Sequence, residues 1–137
     1  MRLLWAVAHG LESTSKRMLA TLGVTGPQRL VLRLVGHNGS VSAGELARML
    51  HIHPSSLTGM LRRLEAAGLL RRKRDPVDGR RAVLTLTASG KRLNARGQGT
   101  VEAIVDRALG AATKGEVRSA ERMLQLLAEA FDDDLDQ

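Results

Sequence analysis

The chain has no cysteine, so disulfides, thiolate metal sites and thiol redox sensing are all excluded for it. Trp5 and Phe131 are its only aromatic residues, and tyrosine is absent. RNA-binding sheets and single-strand grooves stack bases on aromatic rings, so those modes have little support. No apolar run approaches the ~20 residues a bilayer span needs. No charged segment followed by an apolar stretch and a cleavage site opens the sequence, so export is not expected and a cytoplasmic location is. Linkers rich in Ser and Gly, internal repeats and low-complexity tracts are missing too. What remains is 137 residues, 14.8 kDa, 43% apolar and 26% charged. That suits one compact domain, or one domain with appended helices, since two independent cores would be cramped.

Acid is scarce in one region. The formal net charge is +7, and its distribution says more than its size. Between Pro27 and Gly90 eleven basic residues face four acids, whereas elsewhere ten of each cancel. The whole excess sits mid-chain, as expected of a polyanion binder, although a solvated basic surface has the same composition.

Capping signals mark the elements. Apolar residues at Leu3, Leu4, Val7, Leu11, Met18, Leu19 and Leu22 follow a helical period. Thr25-Gly26-Pro27-Gln28 supplies an N-cap, an early proline and a capping-box glutamine for a helix to about Val35, ended by His37-Asn38-Gly39. Ser42-Ala43-Gly44-Glu45 starts a short helix through Leu50, and His53-Pro54 opens another to about Ala67. The period then changes. Leu69–Arg74 and Ala82–Thr87 read as two strands around a turn containing Asp75-Pro76-Val77-Asp78-Gly79, with Asp-Gly as the hairpin signal. Two helices follow. One runs from near Thr87 through Leu109, weakened or bent by Gly97, Gly99 and Gly110; the other starts at Thr113-Lys114-Gly115-Glu116. Four acids in Asp132–Asp136 oppose the helix dipole and predict fraying.

Residues 46–64 read as a helix-turn-helix. Ala47 lets the helices cross closely, and Leu46, Leu50, Ile52, Leu57 and Met60 form a shared core. His51 stands where many such turns carry glycine, and histidine tolerates the left-handed backbone. The second helix keeps a polar face of Ser55, Ser56, Thr58, Gly59, Arg62 and Arg63. Short donors and acceptors near its N-terminus, with guanidiniums a turn later, are what a recognition helix presents to base edges and phosphates.

The order helix, helix, helix, basic hairpin resembles the MarR family of winged-helix regulators. The most specific stretch is Leu69-Leu70-Arg71-Arg72 followed by Asp75-Pro76-Val77-Asp78-Gly79-Arg80 and on to Leu86-Thr87-Ala88-Ser89-Gly90, similar to that family's wing signature. The resemblance implies a mainly α fold with a small β-hairpin wing. Residues 1–26 would form an N-terminal dimerisation helix, 27–90 the winged helix-turn-helix lobe, and 91–137 the C-terminal dimerisation helices. It places Ser55, Ser56, Thr58 and Arg62 in the major groove or at its phosphates and Arg80 in the adjacent minor groove, with Arg63 a further candidate contact from the same polar face. Asp78 would hold Arg80 extended through a charge-assisted hydrogen bond. Arg81 reads equally well as a wing contact or a solvated flank.

Apolar stripes on the first and last helices point to a homodimer on double-stranded DNA with inverted half-sites ~10 bp apart. The family also implies a small aromatic or phenolic effector. Trp5, His9 and His37 are its candidate contacts here, against the alternative that Trp5 packs in the dimer and His9 is solvated. His51-x-His53 lacks a carboxylate to complete a metal set, so no metal and no cofactor are expected. No enzymatic motif is present. The expected function is a ligand-responsive transcriptional regulator, most simply a repressor. A non-specific DNA-coating protein and a winged-helix protein-interaction module are the alternatives.

Overall fold

The computed structural model describes residues 1–135, without the side chains of 133–135. Of the acidic tail expected to fray, the backbone is helical through Leu135, and Asp136 lies outside that description. Element order is α1 (Arg2–Leu22), α2 (Gly26–Asn38), α3 (Ala43–Leu50), α4 (Pro54–Ala66), β1 (Leu70–Arg74), β2 (Ala82–Leu86), α5 (Ala88–Ala95), α6 (Val101–Gly110) and α7 (Lys114–Leu135). The chain divides into two compact units, Met1–Val101 and Glu102–Gln137. Among the described residues no helix is long and apolar enough to cross a membrane.

The first unit is built on one core. Val31, Leu32 and Val35 from α2 meet Leu46 of α3, Leu57, Leu61 and Leu64 of α4, and Leu70, Leu84 and Leu86 of the hairpin. All are at least nine-tenths buried. The hairpin is antiparallel, with Leu70 opposite Leu86 and Arg74 opposite Ala82. Val41, in the loop before α3, adds a single bridge to Leu84, which ties that loop to the middle of β2.

Three capping boxes form as the sequence predicts. Thr25 pairs with Gln28, Ser42 with Glu45 and Thr113 with Glu116, each side chain satisfying the other's backbone N–H. Helix α2 runs three residues past Val35, because the Asn38 side chain donates back to the Leu34 carbonyl and Gly39 takes a positive φ just beyond. The single helix expected from Thr87 to Leu109 is instead two. Gly99 lies at φ 75°, which no helix can continue through, so the glycines interrupt the helix rather than bend it.

The Arg29 side chain is 1% exposed and closes α5 from below. Its guanidinium donates to the Leu93, Asn94 and Arg96 carbonyls, the acceptors a helix C-terminus leaves over. A buried cation at a helix C-terminus also opposes the negative end of the dipole. It fastens α5 to α2, within the same unit as the hairpin.

Candidate nucleic-acid interface

Helices α3 and α4 are joined by His51–His53. His51 takes φ 50° and ψ 48°, the only left-handed non-glycine among the described residues, so the histidine performs the turn that the sequence suggested. Ala47 is buried at the crossing, as is Leu46, while Leu50, Ile52 and Met60 pack on the core margin. Sequence reasoning missed the deeper anchors of α4, Leu61 and Leu64. They extend the Leu57 stripe by one and two turns.

Burying Leu57, Leu61 and Leu64 turns the opposite face of α4 to solvent. Ser55, Ser56, Thr58, Arg62 and Arg63 are all exposed there. His53 Nδ1 accepts from the Ser55 backbone N–H at 3.2 Å and lies 2.7 Å from the Ser55 hydroxyl, so the imidazole is the N-cap of this helix. Thr58 donates its hydroxyl to the Pro54 carbonyl at 2.9 Å, leaving its oxygen lone pairs outward. Among the described residues no ion pair engages Arg62 or Arg63.

Two ion pairs brace the hairpin. Arg72 Nε donates to Glu65 at 2.8 Å, joining β1 to α4. Arg81 donates to Glu45 at 3.1 Å, joining the start of β2 to the N-terminus of α3. Arg81 is thus partnered within the protein, a contact 36 residues distant in sequence. Glu45 also accepts from the Ser42 hydroxyl and backbone N–H.

The Ser42 hydroxyl first, the Ser42 backbone next and Arg81 last hold the Glu45 carboxyl down at about 2. A folded-state value below the ordinary 4.5 means that this contribution to stability is complete above pH ~4.5 and is lost as pH falls toward 2. Glu45→Gln keeps the cap but removes the ion pair. Its melting temperature should lie below wild type near neutrality and converge with it by about pH 2, as followed by circular dichroism. A constant offset across that range would contradict the assignment.

The hairpin tip spans Asp75–Arg81, and Asp-Gly does not make a two-residue turn. Gly79 is not among the positive-φ glycines. Carboxylates shape the tip instead. Asp75 Oδ1 accepts from the Val77 and Asp78 backbone N–H groups, and the Arg81 N–H bonds the Asp78 carbonyl. Asp78 does hold Arg80, but through the backbone: its Oδ1 accepts the Arg80 N–H at 3.1 Å, where a guanidinium contact was expected. At two residues' separation the amide is the nearer donor. The Arg80 side chain is exposed at the tip.

The wing signature's closing residues have physical reasons as well. Thr87 caps α5, accepting from the Gly90 N–H at 3.0 Å while donating to the Gly68 carbonyl. Gly90 presses against the Leu69 carbonyl oxygen, which an added Cβ would meet at 2.1 Å.

A sequence profile of the MarR family matches residues 24–82, from the start of the winged-helix core into β2. The repressor Rv2887 of Mycobacterium tuberculosis is 34% identical over 91% of this chain and 90% of its own. The chain belongs to the MarR family. MdtR, a repressor of Bacillus subtilis, is 32% identical over 90% of this chain and 77% of its own. Among solved structures, a variant of E. coli MarR complexed with operator DNA superposes with a TM-score of 0.71 at 26% identity, covering 92% of this chain and 91% of that one. The MarR family is one of transcriptional regulators rather than enzymes, and its fold is the one described above.

The effector candidates are all exposed. Trp5 is 71% exposed on α1, His9 is exposed one turn on, and His37 is exposed near the end of α2. Next to His9, Glu12 and Lys16 form a solvated ion pair of 2.7 Å. None of the three candidates lines the cavity between α2, the hairpin and α5.

Proposed function

We propose that this chain is a homodimeric, sequence-specific transcriptional repressor that reads an inverted-repeat operator. The observation that carries the reading is the outer face of α4. Its apolar stripe is buried, its hydroxyls and two guanidiniums are exposed, and a braced basic hairpin ending in Arg80 belongs to the same core. In this reading Ser55, Ser56, Thr58 and Arg62 meet the major groove, Arg63 the adjoining phosphates, and Arg80 the minor groove. Asp78 sets the tip, while Arg81 acts through Glu45 by tying the tip end of β2 to α3. Relatives bearing the name repressor, and the operator complex of E. coli MarR, support both the DNA partner and the direction of regulation.

Dimerisation rests on uncovered apolar surface. Leu3, Trp5, Val7, Leu11 and Leu19 on α1 are largely exposed, as are Met123, Leu124 and Phe131 on α7. Burying such faces in a second copy is favourable by roughly 25 cal/mol per Å² of apolar area removed from water. A two-fold dimer then sets half-sites about one helical turn apart, ~10 bp. An effector contacting Trp5, His9 and His37 would act by favouring a dimer whose recognition helices no longer match that spacing.

Selection from a random duplex library tests this reading. Enrichment of a palindromic site with ~10 bp between half-site centres is the expected result. A sequence pool that stays flat after repeated rounds would overturn it.

A further inference from the structure

A serine or threonine hydroxyl carries one proton and two lone pairs, so in solution it can donate to a base or accept from one. On the outer face of α4, two hydroxyls have already committed the proton inside the protein. An amide N–H only donates, so the 3.2 Å bond from the Ser55 backbone N–H requires His53 Nδ1 to be unprotonated. The Ser55 hydroxyl lies 2.7 Å from the same nitrogen and must be its donor. Thr58 donates its hydroxyl to the Pro54 carbonyl at 2.9 Å. Both oxygens are left with lone pairs only.

Ser55, Thr58 and Arg62 stand at i, i+3 and i+7, which aligns them along one side of the helix. From the N-terminus, that line offers an acceptor, a second acceptor and then a guanidinium donor. At 1.5 Å per residue the two hydroxyls are about 4.5 Å apart along the axis, close to one base step. In the major groove adenine N6 and cytosine N4 donate, whereas guanine O6, thymine O4 and purine N7 accept. A lone pair set against any of the last three leaves two acceptors with no proton between them. Such an unsatisfied pair costs more than a good bond gains.

We infer that the first turn of α4 recognises the exocyclic amino groups of adenine or cytosine, and that His53 fixes this polarity by holding the Ser55 proton. His53 is a positioning residue, since it acts on the base through Ser55. The inference rests on the operator-binding reading proposed above and adds the class of base atom that the helix selects. Residue type alone leaves that open, because a free hydroxyl serves either role.

Base analogues test the polarity. A duplex site enriched by wild-type protein from a random library is resynthesised at the pairs whose preference relaxes in Ser55→Ala or Thr58→Ala. At those pairs, deleting the amino group should weaken wild-type binding about fivefold and leave the corresponding alanine variant unaffected. Deleting the keto oxygen or the purine N7 should leave wild type within about twofold. His53→Ala frees the Ser55 proton, so keto or N7 deletion should then weaken binding at the Ser55 pair and change nothing at the Thr58 pair. His53→Asp restores an acceptor-only cap. Its charge should lower affinity for every duplex alike while the dependence on the amino group persists. Wild-type losses on deleting the keto oxygen or N7 instead of the amino group would overturn the inference and leave operator binding intact. Alanine variants that relax no pair would do the same. A His53→Ala protein with the wild-type dependence at the Ser55 pair would overturn the role of His53. A pool that never enriches would fail the operator reading itself, and this inference with it.

Discussion

Replacing Arg80 by alanine should lower operator affinity about thirtyfold, a loss of about 2 kcal/mol. The same change should leave binding to a scrambled duplex within about threefold. Arg80 is exposed at the tip of a hairpin that Asp75 and Asp78 shape from within. The alanine variant therefore removes a guanidinium without disturbing the fold. A guanidinium in a narrow minor groove reads the stronger negative potential of A·T-rich tracts, so its loss falls on preference as well as on affinity. Lys114→Ala, which deletes one charge from the first turn of α7, serves as the comparison. Equal losses from the two variants, measured by anisotropy at fixed salt, would remove Arg80 from the interface and leave it as generic charge.

The second large effect concerns folding. Gly90→Ala places a methyl group 2.1 Å from the Leu69 carbonyl oxygen, and both sides of that clash are backbone. No rotamer change relieves it, so α5 must move away from the bend that precedes β1. Such overpacking costs about 3 kcal/mol, a fall in melting temperature on the order of 10 °C for a chain of this size. Thr87 would be pulled off its cap of α5 at the same time, since its hydroxyl is bonded to Gly90 and Gly68 together. Gly59→Ala makes the opposite case. It lies inside α4 with nothing within 4 Å of the added carbon, and should raise the melting temperature by removing a helix-interior glycine worth roughly 1 kcal/mol. Thermal melts of both variants check the pair. A Gly90→Ala protein that melts with wild type would show that the close approach is not required.

Local chemistry was readable from sequence. The three capping boxes, the threonine cap of α5, the left-handed histidine of the turn and the glycine after α4 each depend on residues within four positions of one another. The sequence therefore displays them directly. Contacts between distant residues were not readable. Arg29 looks like one more basic residue of a charged segment, yet it is buried and reaches carbonyls 64 to 67 positions away. Arg81 was ambiguous for the same reason, since Glu45 lies 36 residues earlier. Val41 bridges to Leu84 with no local pattern to announce it.

The helix break at Gly97–Gly99 lies between these cases. Glycine composition signals weakness in a helix, but only the positive φ of Gly99 distinguishes interruption from bending. On α4, the helical spacing of apolar residues gave the candidate DNA contacts correctly as exposed. A cavity, by contrast, is assembled from α2, both strands and α5, and no single segment encodes it.

Sequence-specific recognition of DNA is open to test by fluorescence anisotropy at two salt concentrations. The purified protein is titrated with duplex from upstream of its own gene and with a scrambled duplex of equal length. Binding to the upstream duplex at least a hundredfold tighter, with affinity falling steeply as salt rises, is the predicted result. Equal affinity for both duplexes, or no binding to either at low salt, would contradict it.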